Sequence, residues 1–248
     1  MNGLIIGKGW LGKRIENHLS KFYKITTTKR ESDALNCISF DLDDENQTPI
    51  DVSTFDFIII TIPFGKRNSI VDLEKRFTRL IQCLGPFNKQ IYLTSSTGIY
   101  PDSEHQIDET TCLDAAKNPN YLFVENLMKT AYPTMTIFRL GGLMGDDRYL
   151  SKYLDLNHST INEVANHVHF RDVIEVIDTC IKLKTFGQIY NVVAPEHPTK
   201  KEIISYQVKG KIEHSETKNG KTISSQKLMK ELNYQFIFPN PIYFKRFD

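Results

Sequence analysis

The stretch Leu4-Ile5-Ile6-Gly7-Lys8-Gly9-Trp10-Leu11-Gly12 constrains this chain more than any other. Three apolar residues read as a short buried strand. A glycine turn spaced G-x-G-x-x-G follows, and Leu11, Ile15 and Leu19 then fall on one helical face. Gly7 permits the tight turn, Gly9 lets the backbone approach a bound group, and Gly12 lets the helix lie close to the strand. Trp10 and Leu11 belong to the same loop, where the helix start offers unpaired N–H groups and a partial positive charge. That end suits a pyrophosphate, so the pattern reads as a dinucleotide-binding fingerprint. The same spacing also serves ordinary glycine-rich turns that bind nothing.

Strand and helix patterns alternate after this point. Tyr23 to Thr28 is a β-branched second strand, Cys37 to Phe40 a third, and Phe57 to Ile62 a continuous apolar run suited to a strand buried on both faces. Ile70, Leu73, Phe77, Leu80, Ile81 and Leu84 mark one helix face. Ile91 to Thr94 is a fifth strand, Asn118-Pro119 a helix start, and Thr134 to Leu140 a sixth strand. The alternation predicts an α/β fold: a doubly wound parallel (Rossmann) sheet with right-handed crossovers. Residues 1–145 form the dinucleotide-binding part in this reading. Residues 146–248, with helices at Arg171 to Lys184, Lys200 to Tyr206 and Ser224 to Leu232, form a C-terminal region expected to pack on the sheet and cover the crevice.

Charge narrows the partners. A formal net charge of +1 gives no electrostatic basis for nucleic acid or an anionic membrane surface. No apolar run spans a bilayer, and the first residues carry no secretory pattern, so a cytoplasmic protein is expected. Cys37, Cys83, Cys112 and Cys180 are scattered without a C-x-x-C pair, which predicts reduced, buried thiols and no metal site.

The second strand ends at Thr28, followed by Lys29 and Arg30, with no acid at its tip. An acid there would bind the ribose 2′-hydroxyl of NAD; hydroxyls and cations attract the 2′-phosphate of NADP. NADP is therefore preferred over NAD, unless Lys29 and Arg30 are merely solvated charges.

Further segments keep a recognisable order: Asp41-Leu42, Ser95-Ser96-Thr97-Gly98-Ile99-Tyr100, Arg139 to Gly145, His169 to Val173, and Ile189 to Val192. With the glycine loop, they make the chain resemble the short-chain dehydrogenase/reductase superfamily. The likeness is to its extended branch of nucleotide-sugar epimerases and dehydratases and to the related atypical members. The resemblance implies that Gly7, Gly9 and Gly12 hold the pyrophosphate and that Asp41 and Leu42 contact adenine. It also implies that Thr61, Ile62 and Pro63 meet the cofactor. Ser96 matches the serine or threonine that hydrogen-bonds the substrate oxygen, with Thr97 and Tyr100 beside it; the alternative for these hydroxyls is local turn chemistry. Arg148 is either an anchor for an anionic substrate or a surface cation. A small-molecule substrate and a homodimer are further implications.

One departure stands out. The superfamily's working pair is Tyr-x-x-x-Lys on one helix face. Here Tyr121 is followed at i+4 by Glu125, which reverses the local electrostatics. If Glu125 instead matches an acid further along the family's helix, Tyr121 takes the lysine's place and Lys117 the tyrosine's. The lysine is missing in both alignments. Tyr121 then acts as an unassisted acid, stacks on the cofactor, or is a half-buried ring without a role. Two functions follow as expectations. One is an NAD(P)-dependent oxidoreductase or epimerase/dehydratase-like enzyme working by hydride transfer on a small polar, sugar-like substrate. The other is a cofactor-binding redox sensor or partner-binding protein without turnover.

Overall fold

The structure is a computed structural model that describes residues 1–64, 68–102, 105–113 and 117–244. The chain opens with β1 (Asn2–Ile6), α1 (Trp10–Leu19), β2 (Lys24–Lys29), β3 (Cys37–Ser39) and β4 (Phe57–Ile60). Next come α2 (Ile70–Leu84), β5 (Gln90–Ser96), β6 (Gln106–Ile107), α3 (Pro119–Ala131), β7 (Thr136–Leu140) and β8 (Gly142–Met144). It closes with β9 (His167–His169), α4 (Phe170–Leu183), β10 (Ile189–Val192), α5 (Lys200–Lys209), β11 (Thr222–Ile223) and α6 (Gln226–Glu231). No helix is long and apolar enough to cross a membrane among the described residues.

Seven strands form one parallel sheet in the order β10-β7-β5-β4-β1-β2-β3. β1 pairs with β2 on one side, Leu4 opposite Thr26, and with β4 on the other, Leu4 opposite Ile58. Chain order therefore runs outward in both directions from β1. The carboxyl ends of β1 and β4 bound the switch point where such sheets open a crevice. The doubly wound fold is as expected.

Contacts divide the chain into two compact units. The first comprises Met1–Ile99, Asn118–Phe138 and Ile177–Ile189. Phe57, Ile58, Ile59 and Ile60 are wholly buried in it, each burial worth about 1.5–3 kcal/mol before entropy is charged. α2 turns Leu73, Phe77, Leu80 and Leu84 into the same core. Ser69 caps this helix by accepting from the Asp72 amide at 3.1 Å, and Gly85 ends it.

The second unit comprises Tyr100–Lys117, Arg139–Val176 and Tyr190–Asp248, so the units interleave along the chain instead of meeting at one cut near 145. Each segment that leaves the sheet gathers its contacts with the others. Asp172, expected as a helix-start carboxylate, does stand in the first turn of α4. It also accepts from the Tyr234 hydroxyl (2.8 Å) and the Ile237 and Phe238 amides (2.7 and 3.1 Å), clamping the closing segment. The small parallel pairs β6–β11 and β8–β9 were not foreseen, because two or three residues are too short for alternation to register. Cys37, Cys83 and Cys180 are buried free thiols as expected; Cys112 is exposed because it lies in an irregular segment.

Candidate functional site

The glycine loop has the geometry its spacing implies. Gly7 sits at φ +102°, a left-handed conformation that side chains resist. A Cβ at Gly12 would overlap the Gly7 carbonyl oxygen and lie 3.1 Å from Thr61 Oγ1. Gly9 is the opposite case: a Cβ there would meet nothing within 4 Å, so its bareness leaves open space beside the backbone. Gly9 is also the N-cap of α1. No side chain caps this helix, and no acid stands in its first turn, which holds Trp10, Leu11 and Gly12. Its amide dipoles are left for an external anion. Side chains brace the loop from behind. Thr28 Oγ1 accepts from the Gly7 amide at 3.0 Å, and Thr61 Oγ1 donates to the Gly7 carbonyl at 2.7 Å.

A cleft of about 360 Å³ opens from this loop. Gly7, Gly9 and Thr28 line it, with Lys29 and Arg30 at the end of β2, Asp41 and Leu42 after β3, and Thr61, Ile62 and Pro63 after β4. All were expected from the sequence. Trp10, Leu11 and Gly12 form the helix start without lining the cleft, and the Arg14 guanidinium covers the Trp10 ring at 3.8 Å. Lys8, Phe40 and Arg76 line it too and were not anticipated. Lys8 is the variable residue inside G-x-G, and Phe40 ended a predicted strand. Arg76 stands on a helix face that no motif marks.

The cleft's charges are paired in ways the strand tip did not disclose. Lys8 and Lys29 both bind Asp33, at 3.0 and 3.1 Å, and their hydrogen bonds hold its carboxyl down at about 2. Arg30 reaches Asp43 at 2.6 Å and Asp41 at 3.4 Å. Arg76 meets the other oxygen of Asp43 at 3.2 Å, so two guanidiniums share one carboxylate. Arg79 donates to the Leu42 carbonyl and fixes that backbone turn.

The serine run after β5 supplies the second group of expected residues. Ser96 Oγ accepts from the Gly98 amide at 3.0 Å, the turn chemistry that hydroxyls in such a run provide. A Cβ at Gly98 would lie 3.2 Å from Ser96 Oγ and 3.1 Å from Tyr121 Cε2. The missing side chain thus brings the serine and the tyrosine to one spot. Phe64 meets the Tyr121 ring edge-on at 5.5 Å. Glu125, one turn along α3, is buried and accepts from Ser95 Oγ at 2.6 Å. α3 starts at Pro119 with Asn118 as its cap, so Lys117 stands outside the helix, where it pairs with Asp102 at 2.7 Å. A Lys117–Tyr121 pair on one helix face is therefore not formed.

Two residues expected at the substrate are buried. Tyr100 is fully buried; its hydroxyl donates to Asn191 Oδ1 at 2.7 Å and accepts from Arg139 at 3.0 Å. Thr97 is buried in the single 3-10 turn Thr97–Ile99. Both are turned inward because that tight turn follows directly on the buried strand. Arg148 closes a turn with Gly145, whose amide donates to the Arg148 carbonyl at 2.7 Å. His167 and His169 are both buried in β9, and His169 stacks on Phe238 at 3.8 Å.

No family model matches the chain. A curated relative, Protein YeeZ of Escherichia coli K12, is 26% identical over 96% of each chain. Solved structures match at lower identity over nearly the whole length. UDP-glucuronic acid 4-epimerase from Bacillus cereus, in complex with NAD, superposes with a TM-score of 0.74 at 14% identity, covering 99% of this chain and 97% of that one. ADP-L-glycero-D-manno-heptose-6-epimerase from Helicobacter pylori gives 0.73 at 14%, covering 97% and 93%. A human epimerase family protein with NADPH gives 0.70 at 12%, covering 98% and 97%.

The chain has the fold of the NAD-dependent epimerases and dehydratases.

In this epimerase/dehydratase fold, the residues present fit a dinucleotide. The uncapped start of α1 and the open side of Gly9 leave room and backbone amides that suit a diphosphate. Phe40, Leu42 and Ile62 give the same cleft an apolar wall for a flat ring.

Proposed function

We propose that this protein binds NADP(H) in the glycine-loop cleft and works as an oxidoreductase or epimerase/dehydratase-like enzyme on a small polar, sugar-like substrate. The observation that carries the reading is the bare helix start: an uncapped α1 whose N-cap, Gly9, faces open space. The backbone amides of that turn hold the diphosphate, and Thr28 and Thr61 keep the loop in shape for it. Arg30 and Arg76, which share the Asp43 carboxylate, favour the additional phosphate of NADP. When bound, the nicotinamide supplies hydride transfer.

The chain's own part in the chemistry falls to Ser96 and Tyr121. Ser96 Oγ already accepts the Gly98 amide, which leaves its hydrogen to donate to a substrate oxygen. Tyr121, held against the same glycine, carries the proton at its phenolic oxygen. A second reading, a cofactor-binding sensor without turnover, is favoured by Glu125. The residue at the lysine position is an acid bound to Ser95 and offers no cation to the tyrosine. NADPH oxidation followed by absorbance against a panel of carbonyl compounds and nucleotide sugars separates the two. Turnover that falls in Tyr121→Phe and Ser96→Ala supports the enzyme; tight NADPH binding with no turnover on any panel member supports the sensor.

A further inference from the structure

The second compact unit contains a polar cavity of its own, about 420 Å³ in volume, lined wholly by residues of that unit. Among the described residues, Lys117, Lys200 and Lys221 line it with two carboxylates, Asp102 and Glu163. Lys200 is matched with Glu163 at 2.6 Å. Lys117 and Lys221 instead share Asp102, at 2.7 and 3.6 Å, so among the described residues two cations meet one carboxylate on that wall.

Lys221 is built into place. Its ammonium donates to the Tyr100 and Pro101 carbonyls at 2.8 and 3.0 Å, and its side chain is only 15% exposed. Asn166 accepts from the Ile223 amide (2.9 Å) and donates to the Lys221 carbonyl (2.8 Å), fixing the backbone on both sides of Thr222. Burial without a full counter-charge pulls the Lys221 pKa down, a cost that an incoming anion would relieve. Across the cavity, Asn162 and Asn219 are tied to each other through their backbones at 3.2 Å. Both residues line the cavity, and a side-chain amide carries two donor hydrogens and an acceptor oxygen. No aromatic ring lines the cavity among the described residues, so a nucleobase would find nothing to stack on.

We propose that this cavity binds a small hydroxylated anion without a nucleobase, its phosphate or carboxylate on Lys117 and Lys221 and its hydroxyls on Asn162 and Asn219. The site stands independently of whether the glycine-loop cleft holds a dinucleotide. Titration calorimetry on the full chain, with glucose 6-phosphate, citrate, inorganic phosphate and UDP-glucose as probes, tests it. Glucose 6-phosphate or citrate binds, the preferred one identifying the acidic group, and inorganic phosphate binds more weakly than the better of the two. Lys117→Gln, at an exposed position, weakens that binding about tenfold while melting temperature and NADPH affinity stay unchanged. Lys221→Gln weakens it at least as far; if that variant does not fold, Lys117→Gln still decides. The proposal is overturned if none of the four probes binds, if Lys117→Gln binds as the wild type does, or if UDP-glucose binds more tightly than glucose 6-phosphate and citrate.

Discussion

Ser95 donates its buried hydroxyl to Glu125 Oε1 at 2.6 Å, fastening β5 to α3 beside the spot where Ser96 and Tyr121 meet. The acid four residues after Tyr121 is thus a structural partner of the strand. Glu125→Ala leaves a buried donor unmet and should lower stability by about 1–3 kcal/mol. Glu125→Gln, which retains an acceptor, should lose less. Urea unfolding of the two variants checks this order; equal losses would mean that the hydrogen bond does not hold the helix.

Gly9 and Gly12 should separate binding from folding. Gly12→Ala forces a methyl into the Gly7 carbonyl and should cost about 1–3 kcal/mol of stability, with loss of NADPH binding. Gly9→Ala meets no protein atom, so its melting temperature should match the wild type while NADPH binding falls about tenfold or more, since its methyl occupies ligand space. Thermal melts with and without NADPH read both effects.

Arg30 and Arg76 should act on one cofactor and not the other. Arg76→Ala is expected to weaken NADPH about tenfold and to leave NADH nearly unchanged, because only NADPH carries the added phosphate. Arg30→Ala should follow it. Equal losses for both dinucleotides would assign these arginines to holding the Asp43 turn.

His167 should make the protein acid-labile. Burial pulls its pKa from 6.5 down to about 4, and its Nδ1 is buried without a hydrogen-bond partner. Between those values, the unfolded chain takes up a proton that the folded chain refuses. Stability should therefore fall as pH drops from about 6.5 to about 4, at up to about 1.4 kcal/mol per pH unit from this group. Urea midpoints of wild type and His167→Gln across that range test it: the variant should show a shallower decline.

The sheet was legible because its central strands carry apolar runs: Phe57 to Ile60 admit no surface position, and α2 carries a clear apolar face. The cleft was legible where chemistry depends on local spacing, at Gly7, Gly9 and Gly12, and where strand ends present neighbours in order, at Thr28, Asp41 and Thr61. What depended on distant pairing was hidden. Nothing near Arg30 in sequence announces that Asp43 and Arg76 converge with it, or that Asp33 returns to Lys8 and Lys29. The burial of Tyr100 was hidden for a related reason. Its motif position suggested the substrate, while its partners, Asn191 and Arg139, lie far along the chain and draw it inside.

If the bare start of α1 holds a dinucleotide's diphosphate, binding must depend on the open side of Gly9. Calorimetric titration of wild type and Gly9→Ala with NADPH tests it most directly. The expected result is saturable binding of one NADPH per wild-type chain and a marked loss in the equally stable variant. No heat of binding to the wild type, or identical binding by both proteins, would contradict it.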